Sequence, residues 1–209
     1  MNVDLLMQAH ATLALLATNV ILSVIAFGNP RLIDAMLFDI GRIRKKNEWH
    51  RTITSGFVHG DPMHLFMNML SLFFIGPALE VLVLGTWTFL GFYMACLIAG
   101  SAWTLMEHWR DMNYKALGAS GAVSGITAAF GLFAPFALII FFVVPMPAIL
   151  FAVLFIAYSA FASGGRMQDR IGHAAHLGGA LMGVALVCIF WPAASRDASN
   201  NTATRRFLD

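Results

Sequence analysis

Residues 116–165 read ALGASGAVSGITAAFGLFAPFALIIFFVVPMPAILFAVLFIAYSAFASGG, a run of 50 without one Asp, Glu, Lys or Arg. A helix crosses a bilayer with about 20 apolar residues, so this run is too long for one crossing and long enough for two. Proline brings no N–H to a helix ladder and clashes with the turn before it. Pro135 and then Pro145-Met146-Pro147 therefore divide the run, predicting one helix over residues 118–134 and another over 148–162.

The rest of the chain has the same character. Charge-free gaps also separate Asp4 from Arg31, Glu80 from Glu107 and Arg170 from Arg196, and Asp61 alone interrupts the stretch from Arg51 to Glu80. They predict helices over residues 9–27, 63–82, 86–106 and 172–190, the last stopped by Pro192. The expected fold is all-α: a polytopic membrane protein with six transmembrane helices in one domain, residues 1–194, and a polar, disordered tail over 195–209. Of 209 residues, 59% are hydrophobic and 11% charged, with mean hydropathy +0.74. A soluble domain carries about 25% charged residues, so this chain could not coat a globule in water.

Other bulk features narrow the reading. A net charge of +2 leaves no basic patch and argues against a nucleic-acid partner. Cys96 and Cys188 fall in mid-span apolar runs and read as small core residues rather than a disulfide. The first apolar run lacks a basic leader and a small-residue cleavage site, so it reads as a span rather than a signal peptide. The longest connection, between the first two helices, mixes Arg42-Ile43-Arg44-Lys45-Lys46 and Glu48-Trp49-His50-Arg51 with aliphatics and is expected to lie at the membrane interface.

Ionisable groups inside a membrane are expensive and mark function by default. The second helix carries His64 and Asn68, with His59 just before it. The fourth opens with Gly118-Ala119-Ser120-Gly121-Ala122-Val123-Ser124-Gly125, and the sixth with His173-Ala174-Ala175-His176-Leu177-Gly178-Gly179, followed by Gly183. Helices two, four and six enter from the same side, and each of these polar groups lies within about two turns of a helix start, so they share one shallow depth. Gly121 and Gly125, like Gly179 and Gly183, form stripes that let helix backbones approach closely. That approach would bring a serine and a histidine within hydrogen-bond reach, the requirement for a base-activated nucleophile. No acidic residue lies in the last three helices and Asp169 is about two turns away, which favours a Ser–His dyad over a triad. His64 and Asn68, four apart, share a helix face and could donate to an oxyanion together with the Ser120 amide. On spacing alone, Ser124 could replace Ser120 and His173 could replace His176. His10, Ser101 and His108 lack such company and read as structural. Beyond Ser71 and Thr127 the distal helix halves hold little that is polar, so a channel or transporter path is poorly supported. No Cys/His/Asp cluster has metal-ligand spacing, and neither a metal nor an organic cofactor is expected.

These residues resemble the rhomboid intramembrane serine proteases. The likeness covers most of residues 48–183, through Glu48-Trp49-His50-Arg51-Thr52-Ile53-Thr54-Ser55-Gly56-Phe57-Val58-His59, His64-Leu65-Phe66-Met67-Asn68, Gly118-Ala119-Ser120-Gly121 and Ala175-His176-Leu177-Gly178-Gly179-Ala180-Leu181-Met182-Gly183. The resemblance implies Ser120 as nucleophile and His176 as its base, with His64, Asn68 and the Ser120 amide as oxyanion hole. It makes His59, Arg51, Gly118, Gly121 and Gly179 supporting residues. It implies hydrolysis of transmembrane segments of other membrane proteins, with a catalytically silent client-binding relative as the alternative. Access would be governed by the fifth helix or by residues 167–171.

Two departures stand out. The family typically has a Trp-Arg pair in the first loop, whereas here Trp49 and Arg51 are separated by His50. Some members place an aromatic residue one turn after the serine, stacked on the catalytic imidazole; here that position is Ser124, which leaves His176 looser or in a hydrogen bond with Ser124. Lys and Arg number 6, 2 and 2 in the loops after helices one, three and five, so positive-inside counting puts the site face in the cytoplasm. The resemblance implies a site opening away from the cytoplasm, and that orientation, in a cell (inner) membrane, is the one expected here.

Overall fold

The structure is a computed structural model that describes residues 3–141, 144–163 and 172–192. Along the described chain run α1 (Val3–Gln8), α2 (His10–Phe27), α3 (Pro30–Met36), β1 (Phe38–Asp39), α4 (Ile40–Lys46) and α5 (Arg51–Thr54). A 3-10 turn at Ser55–Phe57 leads to α6 (Pro62–Leu79), which widens into a π turn at Glu80–Leu84. Then follow α7 (Thr86–Glu107), β2 (Lys115–Ala116), α8 (Ser120–Phe133), β3 (Leu138–Phe141), β4 (Val144–Pro147), α9 (Ala148–Ala162) and α10 (His173–Phe190).

Four of these helical segments are long and apolar enough to cross a membrane: His10–Phe27, Pro62–Leu84, Thr86–Glu107 and His173–Phe190. Helices α8 and α9 are apolar but shorter, at 14 and 15 residues. The helices are inside-out relative to those of a water-soluble protein. On α2, Thr12, Asn19 and Ser23 are 0% exposed, while Ile21, Val24 and Ile25 are each more than half exposed. Exposed apolar faces recur at Phe66 and Phe74, at Val153, Leu154 and Phe161, and at Ile189 and Phe190. Polar groups face the interior and hydrocarbon faces outward, as an integral membrane protein requires.

Close packing without side chains holds the centre. A Cβ on Gly179 would run into the carbonyl of Gly121, and one on Gly183 into the carbonyl of Gly125. A Cβ on Gly100 of α7 would lie 2.7 Å from the Ala175 oxygen, and one on Gly178 would lie 2.8 Å from the Ala99 oxygen. Helices α7, α8 and α10 thus meet backbone to backbone, a geometry open only to residues without a side chain. The opposite end is held by charge. Glu80, 0% exposed, accepts from the Ala11 and Thr12 amides at 2.9 and 2.7 Å and from the hydroxyls of Thr12 and Thr86 at 2.8 and 2.9 Å. Its carboxylate satisfies donors that the first turn of α2 leaves unpaired, where the helix dipole also favours a negative charge.

The long connection between α2 and α6 is a folded layer. Phe38, Ile40 and Ile43 form their own small core with Leu105, Met112 and Tyr114, and β1 pairs antiparallel with β2. Arg51, 2% exposed, ties the layer together: Nη1 donates to the Asp34 and Leu37 carbonyls at 2.7 and 2.8 Å, and Nε to Glu48 at 2.6 Å. Trp49, displaced by one residue from the family pattern, is half exposed and takes no part in this clamp.

Three expectations need correction. The all-α picture omits two short antiparallel pairs, β1–β2 and β3–β4. In the second, Pro145 and Pro147 stand opposite Ile140 and Leu138; having no N–H, they suit a hairpin strand better than either flanking helix. Helix α8 begins at Ser120 rather than at residue 118, because Gly118 has φ +118°, outside helical geometry. Cys188 faces outward and is exposed, whereas Cys96 is buried as expected. The expected tail, residues 195–209, lies outside the described residues.

The crossing makes a direct prediction. Gly179→Ala forces α8 and α10 apart and should cost about 1–3 kcal/mol, read as a lower thermal unfolding midpoint in detergent micelles. Gly91→Ala on α7, where nothing lies within 4 Å of the new Cβ, should be neutral or stabilising by up to about 1 kcal/mol. Equal midpoints for the two variants would contradict this account of the packing.

Candidate active site

Helix α6 is started by Asp61, whose Oδ1 accepts from the His64 amide at 2.8 Å, with Pro62 just inside the helix. An acidic N-cap followed by proline is a strong start signal. It puts His64 in the first turn and Asn68 one turn on, where Nδ2 donates to the His64 carbonyl at 3.1 Å. The His64 ring lies over Gly118: a Cβ there would be 2.5 Å from Cε1 and 2.7 Å from Nε2. Gly118 is therefore glycine for two reasons, its positive φ and the imidazole against its α-carbon.

The turn into α8 is built from amides. The Gly118 N–H donates to the Ser55 carbonyl at 2.9 Å, and the Ala119 N–H donates to His59 Nε2 at 3.3 Å. Ser120 follows as the first residue of α8, so its own N–H has no partner within the helix. One residue on, a Cβ on Gly121 would sit 3.3 Å from the Ala175 oxygen, and Gly121 is the backbone on which Gly179 rests. Ser120 and His176 thus flank a single backbone crossing, Ser120 next to Gly121 and His176 next to Ala175. The starts of α6, α8 and α10 come together there.

The remaining candidates separate. Ser124 is buried and its hydroxyl donates to the Ser120 carbonyl at 2.6 Å, a bond back into its own helix. That hydroxyl is spent on backbone and makes no bond to His176. The His176 ring instead meets Phe155 of α9, with centroids 5.5 Å apart and planes at 31°. His173, one turn before it, is buried and meets Tyr158 edge-on at 5.2 Å. Ser71 and Thr127 bond back to the Met67 and Val123 carbonyls, so the polar groups of the distal halves are internal to their helices. Ser101 donates to the Thr52 carbonyl at 2.7 Å and His108 stacks on Tyr114 at 3.8 Å, both structural roles. Asp169 and residues 167–171 lie outside the described residues.

Two participants escape sequence reading. Ser23 of α2 bonds His59 Nδ1 at 2.9 Å, and Phe155 faces His176. A polar residue in an apolar helix was the available signal for Ser23; for Phe155, one aromatic among many on α9, there was none.

His59 is completely buried. Since Nε2 accepts the Ala119 N–H, the ring proton is on Nδ1, which donates to the Ser23 hydroxyl, and the ring is neutral. Burial above all, reinforced by neighbouring His64 and opposed by Asp61, pushes this imidazole down from the ordinary 6.5 to about 3. Below 6.5 the unfolded chain takes up a proton here that the folded chain refuses, so stability falls as the pH is lowered. The slope is at most about 1.4 kcal/mol per pH unit, or about 2 kcal/mol on going from about pH 6.5 to about pH 5. Thermal midpoints across that range should fall in the wild type and fall less steeply in His59→Gln, which has no proton to gain. Identical slopes would mean that His59 is not the titrating group.

A rhomboid domain family model matches residues 46–193. Rhomboid protein 1, mitochondrial, of Saccharomyces cerevisiae is 36% identical over 139 residues, covering 63% of this chain and 39% of the relative. RHOMBOID-like protein 12, mitochondrial, of Arabidopsis thaliana is 31% identical over 163 residues, 70% of this chain and 47% of the relative. Putative rhomboid protease YdcA of Bacillus subtilis is 38% identical over 79 residues, 38% of each chain. The chain thus spans less than half the length of each of these relatives. The matched residues run from the basic end of α4 through α10 and take in every candidate site residue, and on that match the chain belongs to the rhomboid family.

Proposed function

We propose that this chain is an intramembrane serine endopeptidase that cleaves transmembrane segments of other membrane proteins with a Ser120–His176 dyad. The observation that carries the reading is the glycine crossing of α8 and α10, which sets Ser120 and His176 on adjoining turns while the His64 ring covers Gly118. In this reading α8 and α9 are the short members of a six-span bundle. The 14 residues of α8 reach only about 21 Å, less than the hydrocarbon thickness, so Ser120 at its start sits below the membrane surface. A hydrated cavity at the three helix starts must therefore admit water.

The chemistry follows from the groups present. Ser120 Oγ attacks the scissile carbonyl carbon while His176 takes its proton, and the carbonyl oxygen becomes an oxyanion facing the Ser120 N–H, His64 and Asn68. Collapse breaks the C–N bond as His176 returns the proton to the leaving amine. Water, deprotonated by the same imidazole, then hydrolyses the ester and frees the serine. No metal or organic cofactor enters this scheme.

The reading sets the protein in an inner membrane, with the site opening away from the cytoplasm. Two relatives carry the word mitochondrial in their names, so a mitochondrial membrane is the organellar counterpart of that placement. Of the ten basic residues that oppose this orientation, four are engaged in the folded layer. Arg42 pairs with Asp34, Arg51 with Glu48 and Lys115 with Asp39, and Arg44 lies over the Trp109 ring.

Covalent labelling by a fluorophosphonate probe tests the site without a known substrate. Wild type should label, and Ser120→Ala and His176→Ala should lose labelling while Ser124→Ala keeps it. His64→Ala or Asn68→Ala should slow it by up to about 10²–10³-fold. Labelling that followed Ser124 would move the nucleophile one turn, and no labelling of folded wild type would favour a client-binding rhomboid relative.

A further inference from the structure

We propose that Phe155 of α9 is the positioning residue for His176, holding the imidazole in the orientation from which it serves Ser120; this rests on the protease reading above. An imidazole near the start of a helix is confined by neighbours three and four residues away and by whatever the adjoining helices present. At those spacings along the chain the neighbours of His176 are Gly172, just before α10, and His173, Gly179 and Ala180 on it. His173 alone is large, and it meets His176 nearly edge-on, at 6.0 Å and 82°. The glycines that let α8 and α10 meet therefore leave the His176 ring little support from its own helix. Helix α8 adds no aromatic wall, since Ser124 stands one turn after Ser120 and its hydroxyl is turned back onto the Ser120 carbonyl.

Helix α9 supplies what those two helices lack. Phe155 and Tyr158 are three residues apart, as are His173 and His176, and the pairs match in antiparallel order. Phe155 meets His176 with planes only 31° apart, and Tyr158 meets His173 at 83°. The inclined approach of Phe155 puts its ring along the imidazole and limits rotation about the side-chain torsions without competing for either ring nitrogen. Its position is itself braced. Toward one end of α9, a Cβ on Gly131 of α8 would lie 2.9 Å from the Ala152 Cβ and 3.0 Å from the Ala148 oxygen. Just past the other end, the Ser163 hydroxyl donates to Glu107, the last residue of α7. Phe155 lies between these two fixed points, so the orientation of the base is tied to the placement of α9.

The test uses the full chain in detergent micelles and separates the maximal labelling rate from the probe concentration at half-maximal rate. Phe155→Leu keeps bulk and removes the ring. It should lower the maximal fluorophosphonate rate by roughly three- to tenfold, the size of one aromatic contact, with half-saturation and thermal midpoint close to wild type. Phe155→Tyr should restore the rate. Phe155→Met, also without a ring, serves in place of Phe155→Leu if the latter does not fold. A ringless variant that labels at the wild-type maximal rate, or loses only probe affinity, overturns the proposal, as does failure of Phe155→Tyr to restore the rate. If folded wild type does not label through Ser120, the protease reading itself fails. Ser120-dependent wild-type labelling with an unchanged Phe155→Leu rate removes only the role of Phe155.

Discussion

Everything near the candidate site depends on two carbonyl oxygens, those of Gly121 and Gly125, occupying space where Gly179 and Gly183 have no side chain. Helix backbones in lipid gain nothing from expelling water, and close van der Waals approach is what holds them. Here the approach is close enough that a methyl group would collide with the facing backbone. The contact continues through Gly100 and Gly178 to α7, so three helices share one glycine-lined seam. The polar residues next to the seam inherit its precision, because their α-carbons belong to the backbones that touch.

The seam has a cost that other elements offset. Glycines give α10 few side chains near His176, and the aromatic residues of α9 stand where such neighbours would have been. The turn before Ser120 faces a similar problem, since its amides lie outside any helix ladder. Ser55 and His59 accept two of them, and His59 is in turn held by Ser23 of α2. The first span and the long connecting layer are thus joined to the turn that presents Ser120. Glu80 performs a matching task at the opposite end of α2, where four donors converge on one buried carboxylate. An unpaired donor in hydrocarbon is expensive, which explains why each of these polar residues is satisfied by a different element of the fold.

Much of this architecture was legible in the residues alone. Charge-free gaps and prolines locate α9 at its observed bounds and α2, α6, α7 and α10 within a few residues, because apolar length and chain breaking are local properties. The folded layer between α2 and α6 was readable only as a mixed segment, since its small core is completed by Leu105, Met112 and Tyr114 from far along the chain. Gly118 was visible as part of a motif, yet its reason, a positive φ beneath the His64 ring, belongs to two segments at once.

By itself the sequence determined the membrane class, the helix order and the gathering of polar residues at three helix starts, through charge, hydropathy and chain parity. Tertiary structure decided what those residues touch. It gave the Ser124 hydroxyl to the Ser120 carbonyl, the His59 imidazole to Ser23 and the Ala119 amide, and the His176 ring to Phe155. Such pairings depend on the depth and rotation of one helix against another. Those quantities are set by where backbones can approach, and no spacing within a single segment encodes them.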